Sequence, residues 1–284
     1  PICIPCTLKQ AGDTAGRITG DPAVHEAIAR EAAARIEEIG RDLTPAELAT
    51  EIFRLVTGTL GVPDPFGPEK ERYNREAMAL YPRLRTLIAG SRDPLQTALL
   101  LAVAGNLIDL GIMEPMAVQE AVDGALARGL ARDDLAALRR DLAGARSLLY
   151  AGDYAGEIAF DRLLIEEIKR EFPQIAVTFA VKSGPASNDA MRRDAEAVGL
   201  PELAAVIETG GAALGVPRSA SSPEFWRIFD ESDVVISKGH ANYETLDETA
   251  HPALYFLVTV KCAIVAGAIG VKVGDSVLVK NGGT

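Results

Sequence analysis

The sequence predicts an α/β protein whose first half is helical and whose second half forms a mainly parallel β-sheet. Apolar residues recur at helical spacing up to about residue 145, and beyond it short apolar runs alternate with helical segments. Strands that alternate with helices are typical of βαβ units, which pair their strands in parallel. We therefore predict a helical domain at residues 1–145 and a sheet-containing domain at residues 146–284.

The helices of the first half are predicted from apolar spacing and from capping residues. Residues 22–39 carry apolar side chains four positions apart, which indicates a helix. Thr44, followed by a proline and by Glu47, predicts the N-cap of a helix that runs to about residue 56. Further helices are predicted at residues 73–87, 93–110, 118–126 and 133–145. Pro82 should kink or break the first of these, and the prolines and glycines of residues 61–68 predict a loop.

The strands of the second half are predicted from short apolar runs that end at turn residues. They fall at residues 147–151, 175–181, 204–208, 233–237, 254–260 and 276–279. Helices are predicted at 156–171, after Asn188, at 224–229 and near Ala263. The apolar stretch 254–273 is interrupted by lysines and glycines, so we expect a strand and a helix there rather than a membrane span.

The composition excludes several functional classes. Apolar residues make up 48% of the 284 residues, which is enough for a large core and argues against disorder. The net charge of −11 argues against general binding to nucleic acid or to anionic membranes, because both require a positive patch. Three cysteines are too few for a disulfide scaffold, and we recognise no signal peptide, so the prediction is a cytoplasmic location. The oligomeric state is not predicted.

Polar and charged side chains follow three of the predicted strands, two of them directly and one after a Gly-Pro loop. Asp153, the pair Asn188 and Asp189, and Lys238 lie at predicted strand ends. In an open parallel sheet ligands bind outside the carboxyl ends of the strands, and oxygen ligands from neighbouring loops suit a hard divalent cation. Lys238 beside a glycine suits phosphate. Each residue also has an ordinary interpretation, because aspartate and asparagine cap helices and lysine is usually solvated.

Three further features bear on function, and two of them have more than one interpretation. Glu157 falls in the first turn of a predicted helix, where a carboxylate also complements the helix dipole. Asn242 continues the loop after Lys238 and suits hydrogen bonds to substrate hydroxyls. Cys3-x-x-Cys6 is half of a zinc site or a redox pair, and we favour two packed or surface thiols.

Together these segments resemble the metal-dependent damage-control phosphatases, in particular their compact microbial branch. The resemblance rests on Gly152-Asp153-x-Ala155-Gly156-Glu157-Ile158-x-Phe160-Asp161, Val181-Lys182-x-x-Pro185-x-x-Asn188-Asp189-Ala190 and Ser237-Lys238-Gly239-x-x-Asn242-Tyr243-Glu244. The amino-terminal Cys3-x-x-Cys6 and the helical Gly105-Asn106-x-x-Asp109 also fit. The resemblance implies a helical domain followed by a three-layer α/β/α domain.

The resemblance also implies an activity and a set of site residues. The activity is hydrolysis of phosphate monoesters of small metabolites, such as sugar phosphates or damaged phosphometabolites, with Mn²⁺, Co²⁺, Ni²⁺ or Mg²⁺. Asp153 and Asp189 would be catalytic and would bind the metal, with Asn188 as a further ligand. The substrate would be bound by Glu157, Lys238 and Asn242, with Lys238 on the phosphate.

One position departs from the family pattern and leaves an alternative open. The family usually has asparagine after the first aspartate, and this sequence has Tyr154. A neutral phenol is a poorer ligand for a hard cation than an amide oxygen, so the alternative is a catalytically impaired protein that binds phosphometabolites. A third class, a nucleotide- or cofactor-dependent enzyme such as a methyltransferase, lacks the expected glycine-rich fingerprint.

Overall fold

The first half of the chain is helical, as predicted. The computed structural model describes residues 3–39, 43–105 and 123–282. Its amino-terminal helices are α1 (Cys3–Ile18), α2 (Pro22–Ile39), α3 (Pro45–Leu60), α4 (Gly67–Gly90) and α5 (Pro94–Ala104). Residues 123–128 are also helical.

A seven-stranded sheet forms the centre of the second half. Its strands are β1 (Arg132–Asp133), β2 (Ser147–Ala151), β3 (Ala176–Val181), β4 (Ala205–Glu208), β5 (Val234–Lys238), β6 (Leu254–Thr259) and β7 (Ser276–Lys280). The spatial order is β1-β7-β6-β5-β2-β3-β4. Every neighbouring pair is parallel except β6 and β7. The central strands β2 and β6 are almost wholly buried, which explains their uninterrupted apolar sequences.

Helices cover both faces of the sheet, so the predicted three-layer α/β/α arrangement is confirmed. The second half supplies α6 (Leu135–Gly144), α7 (Glu157–Glu171), α8 (Arg192–Ala197), α9 (Pro223–Glu231), α10 (His240–Leu246) and α11 (Ala263–Ile269). On one face, α4 to α8 share a buried cluster with side chains such as Tyr150 and Phe179. On the other face, α9, α10 and α11 pack on Leu149, Phe256 and their neighbours.

Helices α1 to α3 form a group with its own small core, centred on side chains such as Ile28, Ile52 and Val56. The N-cap predicted for α3 is present, because the Thr44 side chain and Glu47 form a reciprocal capping box. The group also bonds to the loop that follows β4. The Thr50 hydroxyl accepts the Leu214 backbone N–H at 2.9 Å, which fixes α3 above the sheet edge.

Several elements differ from the sequence predictions. Helix α1 and the two-residue strand β1 were not predicted; α1 does carry apolar residues three or four positions apart, but the residues that it buries are alanines and threonines, and β1 is too short to show a pattern. Pro82 does not end α4, since buried residues on both sides of it pack against the sheet layer. The predicted helices at 93–110 and 118–126 fall partly on residues 106–122, which lie outside the described residues.

The boundary near residue 145 stays a prediction. Helices α4 and α5 belong to the residues 1–145 but contribute to the core cluster that covers the sheet. The apolar stretch 254–273 forms β6 and α11, as predicted. No helix in the described part of the chain combines the length and the apolar character that crossing a membrane requires.

Candidate active site

The candidate site lies at the carboxyl ends of the central strands. Strand β2 is flanked by β3 on one side and by β5 on the other, and all three are parallel. The chain leaves β2 for β3 and later returns to the opposite side as β5, so a crevice opens where the connection changes direction. Ligands of doubly wound sheets bind at this kind of switch point.

Backbone hydrogen bonds tie the loops after β2 and β3 together. The Ala190 N–H donates to the Asp153 carbonyl at 2.8 Å, and the Ala155 N–H donates to the Asn188 carbonyl at 3.0 Å. Tyr154 and Asp189 form an isolated antiparallel bridge between these bonds. The structure therefore brings Asp153, Asn188 and Asp189 into one short ladder.

The two aspartates are buried and incompletely bonded. Asp153 is 2% exposed and Asp189 is 1% exposed. Neither the Oδ2 of Asp153 nor either carboxylate oxygen of Asp189 has a hydrogen-bond partner. Burial and the charge of Asp189 raise the pKa of Asp153 well above its ordinary value. Burial raises the pKa of Asp189 to about 6, although Lys182 and Lys70 act to lower it.

Gly239 leaves room for the Asp153 carboxylate. The glycine follows β5 with a φ of 81°, and a Cβ atom added there would lie 1.8 Å from the Asp153 Oδ2. A side chain at residue 239 is therefore excluded on two grounds, the backbone conformation and the space taken by the carboxylate.

Lys182 lies beside the aspartates and was not assigned a role from the sequence. Its Nζ is 3.6 Å from the Asp189 Oδ2. It donates hydrogen bonds to the Gly215 carbonyl and, at 3.3 Å, to the Asn242 Oδ1. Burial lowers the pKa of Lys182, while Asp189 and Asp153 oppose that change. The lysine supplies a buried positive charge next to the aspartate pair.

Lys238 is fully buried and bonded to protein acceptors. Its Nζ donates to the Glu157 Oε1 at 2.7 Å, to the Asp161 Oδ1 at 2.8 Å and to the Ala102 carbonyl at 2.9 Å. Asp161 also accepts the Tyr150 hydroxyl at 2.7 Å. Burial lowers the pKa of Lys238, but the charges of Asp161 and Glu157 outweigh it and raise that pKa above its ordinary value. All three ammonium protons are thus directed at protein oxygens.

Asn242 is likewise engaged with the protein. Its Nδ2 donates to the carbonyls of Gly152, at 3.1 Å, and of Lys238, at 2.9 Å. The role of Glu157, Lys238 and Asn242 in binding substrate stays a prediction. Direct contact with substrate requires Lys238 or Asn242 to exchange one of these hydrogen bonds for one to the ligand.

A cavity of about 400 Å³ reaches the aspartate ladder through Asn188 and Asp189. Its inner end is lined by Tyr154, Asn188, Asp189 and Lys261, and its far wall is formed by α1 and α3. All three cysteines of the chain, Cys3, Cys6 and Cys262, also line it and are free thiols. The cavity therefore joins the Asp189 side of the ladder to solvent.

Tyr154 is half-buried and contacts Lys261. The Lys261 Nζ lies 4.6 Å from the centre of the Tyr154 ring and donates to its hydroxyl at 3.3 Å. The charge of Asp153, together with burial, raises the pKa of Tyr154 well above its ordinary value, so the phenol is neutral. Tyr154, the residue that departs from the family pattern, thus contacts the ammonium group of Lys261 in the cavity.

The aspartates fit a hard divalent cation. Three buried carboxylate oxygens without hydrogen-bond partners face one small region, and a cation is the kind of ligand that satisfies such atoms. Over residues 3–39, 43–105 and 123–282, no three His, Cys, Asp or Glu side chains are clustered for a metal. The cation would be held by two carboxylates, completed by the Asn188 amide and water. Asn106 and Asp109, which also fit the family motifs, lie outside the described residues.

Comparison with known proteins identifies the family. Residues 1–277 match the family model described as the damage-control phosphatase ARMT1-like domain. The chain belongs to this family. The resemblance seen in its sequence motifs is therefore confirmed.

Relatives of similar length occur in archaea. The chain is 33% identical to a damage-control phosphatase of Archaeoglobus fulgidus, over 98% of this chain and 97% of that protein. It is 32% identical to an uncharacterised protein of Methanocaldococcus jannaschii, over 99% of this chain and 94% of that protein. A crystal structure of a DUF89 family protein from Pyrococcus horikoshii matches 98% of this chain and 97% of its own, with a TM-score of 0.89 and 32% identity.

Sequence reasoning assigned no role to two other lysines of this site, Lys182 and Lys261. Lys238 was selected because it lies at the carboxyl end of a strand, where ligands of parallel sheets bind. Lys182 directly follows β3, so the same strand-end rule applied to Lys182. Lys261 follows β6 at the same edge of the sheet and shows the same signal. Asp161 belongs to the first family motif but was given no role, because only the fold places it beside Lys238.

Proposed function

We propose that the protein is a metal-dependent phosphatase that hydrolyses phosphate monoesters of small metabolites. Membership in the damage-control phosphatase family supports phosphatase activity. The observation that carries the metal dependence is the set of buried carboxylate oxygens of Asp153 and Asp189 that lack hydrogen-bond partners, at a ladder that an open cavity reaches through Asp189. Nucleic acid and membranes are not expected partners, and a cytoplasmic location stays a prediction.

Asp153 and Asp189 would hold the cation, with Asn188 as a neutral ligand. Mn²⁺, Co²⁺, Ni²⁺ and Mg²⁺ are the candidates, since all accept oxygen ligands. When bound, the cation supplies Lewis-acid polarisation of a phosphoryl oxygen and offsets negative charge there. Burial raises the pKa of Asp189 to about 6 and that of Asp153 well above its ordinary value, so cation binding competes with protonation of these carboxylates.

The other residues of the site orient the substrate and balance its charge. Lys261 lines the same cavity as Asp189 and presents an ammonium group that suits a phosphoryl oxygen. Lys182 keeps a positive charge behind Asp189. Asp153 either attacks phosphorus itself, forming an acyl phosphate that water then hydrolyses, or orients a water molecule for the attack. In both routes the ester P–O bond breaks, the organic part leaves as an alcohol that takes up a proton, and phosphate is released. Lys238 and Asn242 hold the chain segments from which these groups project.

The test is phosphate release from a panel of sugar phosphates by the metal-free protein supplemented with each of the four cations. We expect turnover that depends on the cation, and a loss of about 10²-fold or more in Asp153→Asn and in Asp189→Asn. Asp230→Asn, on the exposed side of α9, is the matched control and should keep wild-type activity. Wild-type turnover in Asp153→Asn would contradict the catalytic and metal-binding role of Asp153.

Calorimetric titration of Mn²⁺ measures the same site without substrate. We expect Mn²⁺ to bind more tightly at pH 8 than at pH 5, because the aspartates must lose protons on binding. Equal affinity at both pH values, or unchanged affinity in Asp189→Asn, contradicts this metal assignment.

The alternative function is binding of phosphometabolites without turnover, and it depends on whether Tyr154 impairs catalysis. The contact between Lys261 and the Tyr154 ring gives the tyrosine a place in the cavity that an asparagine cannot fill. If Tyr154 has impaired catalysis, the Tyr154→Asn variant gains hydrolysis, whereas a functional tyrosine predicts that this variant loses activity. Phosphate release by Tyr154→Asn and by Tyr154→Phe, which keeps the ring, distinguishes the two cases.

A further inference from the structure

The cavity is elongated, because one face of α1 lines it from end to end. Its lining residues in α1 begin at Cys3 and continue through Thr7, Gln10 and Thr14 to Arg17. The fourteen steps from Cys3 to Arg17 span about 21 Å at the usual helical rise of about 1.5 Å per residue. A phosphate or a triose phosphate fills only a small part of that length.

The wall on the α3 side is mainly apolar, whereas the α1 side carries polar side chains, of which the Thr7 and Thr14 hydroxyls already donate to carbonyls of their own helix. The apolar wall is built by Ala46, Ala49 and Phe53 of α3, by Phe66 and by Leu214. Ala46 and Ala49 lie on neighbouring turns of α3, and their small side chains leave space beside α1. The wall is therefore suited to contact carbon rather than hydroxyl groups.

The rim of the cavity is also apolar. Ile264 lines it and is 47% exposed, and it is among the few large apolar side chains that the described residues leave in contact with water. An exposed apolar side chain at the edge of a ligand cavity gains contact area when an apolar ligand extends past it.

The charges along the cavity do not favour an anionic tail. Asp13 and Glu244 line it, and the cations of α1 are already paired, Lys9 with Asp13 at 2.7 Å and Arg17 with Glu69 at 3.0 Å. A second phosphate or a carboxylate placed along α1 would meet these acids without a dedicated cation. The organic part of the ligand is therefore expected to be uncharged.

We propose that the preferred substrates are phosphate monoesters with an extended, uncharged and largely apolar organic part, rather than compact polyhydroxylated phosphates. This inference rests on the proposed phosphatase function. The phosphate lies at the inner end, beside Asp189 and Lys261, and the organic part runs between α1 and α3. Its apolar surface is then removed from water by Ala49, Phe53 and Leu214.

A series of n-alkyl phosphates from ethyl to octyl tests the proposal in the full chain with Mn²⁺. The phosphoryl chemistry changes little along the series, so kcat/KM reports how the chain is accommodated. We expect kcat/KM to rise by about two- to fourfold for each added methylene until the cavity is filled. A flat series, or glucose 6-phosphate turned over more efficiently than octyl phosphate, overturns the proposal.

A steric variant shows whether the gain arises in this cavity. Ala49→Leu adds three carbon atoms to the wall and should lower the octyl-to-ethyl ratio of kcat/KM by about tenfold, the worth of roughly two methylenes. Ala34→Leu makes the same change on the exposed face of α2 and should leave the ratio as in the wild type. An unchanged octyl-to-ethyl ratio of kcat/KM in Ala49→Leu would show that the gain with chain length does not arise in this cavity.

Failure of the substrate class and failure of the phosphatase function give different results. If ethyl and octyl phosphate are hydrolysed equally well, the protein is a phosphatase and the substrate class is wrong. If no phosphate ester is hydrolysed with any cation, the phosphatase function is wrong. Calorimetric binding of ethyl and octyl phosphate then decides the cavity proposal by itself, because octyl phosphate should still bind at least tenfold more tightly.

Discussion

Replacing Lys238 with methionine removes a buried cation while keeping most of the side-chain length. In the wild type its Nζ donates to Glu157, to Asp161 and to the Ala102 carbonyl. In Lys238→Met, two buried carboxylates and one carbonyl lose this partner together. Breaking a buried pair by removing one member costs about 3–5 kcal/mol, because the remaining charge is left uncompensated.

The cost should depend on pH. The pKa of Asp161 is already raised to about 6, mainly by burial, while Lys238 acts to lower it. Without Lys238 the carboxylates hold protons more tightly, so acid relieves the repulsion between them. We expect a loss of about 3–5 kcal/mol at pH 8 and a loss at least 1 kcal/mol smaller at pH 5.5. Urea unfolding of both proteins at the two pH values measures the difference.

Lys280→Met is the matched control. Lys280 forms a 2.6 Å ion pair with Asp141, but about 30% of each side chain is exposed. Its replacement should cost less than about 1 kcal/mol, since partly exposed pairs contribute little. Equal losses for the two variants at pH 8 would refute the view that Lys238 holds a buried network, and would return it to the phosphate role predicted from the sequence.

Three other substitutions test separate parts of the structure. Glu244→Gln should stabilise the protein at pH 8 by up to about 3 kcal/mol and have little effect near pH 4, measured by urea unfolding. Burial raises the pKa of Glu244 to about 7, so the folded state keeps a proton that the unfolded state releases. The free energy of unfolding of the wild type therefore falls as pH rises from about 4.5 to about 7. Asp233→Ala should cost about 1–2 kcal/mol by thermal unfolding, because its carboxylate accepts hydrogen bonds at the start of β2, including two from Ser147. Gly239→Ala should abolish Mn²⁺ binding in calorimetry, because the new Cβ would displace the Asp153 carboxylate.

Each of these substitutions has a control or a contrary result. Equal pH profiles for Glu244→Gln and the wild type mean that this carboxyl does not titrate abnormally. Asp230→Ala removes an exposed carboxylate in the same region and should change thermal stability by less than about 0.5 kcal/mol. Gly270→Ala also forces a side chain onto a positive φ, 80°, but has no atom within 4 Å of the new Cβ, so it should retain Mn²⁺ binding. Normal binding by Gly239→Ala contradicts the packing described for Asp153.

The elements predicted well are those that the local sequence determines. Strand β2 has the predicted bounds, because an uninterrupted apolar run is closed by Gly152 and both of its faces are buried. Helix α3 begins where Thr44 and Glu47 predict its cap. Strand β1 was missed, because its two residues form a strand only by pairing with β7, whose sequence lies far along the chain.

In the candidate site, too, some features follow from local sequence and others depend on how distant segments pack. The strand-end rule led to Asp153 and Asp189, since parallel strands bring their following loops to one edge of the sheet. The environment of Lys238 was beyond that rule, because the Ala102 carbonyl that it contacts comes from a helix 136 residues earlier. Which acceptors surround a buried ammonium depends on how α5 and α7 pack, and no local pattern records that packing.

The two sides of the cavity come from distant stretches of the chain. Residues of α1 and α3 form one side, and loops that follow β2, β3 and β6 form the other. A change of shape in the amino-terminal helices therefore need not disturb the aspartate ladder, which is held by its own backbone bonds. Descendants of one ancestral protein can in this way diversify in the compounds they accept while their reaction chemistry stays constant.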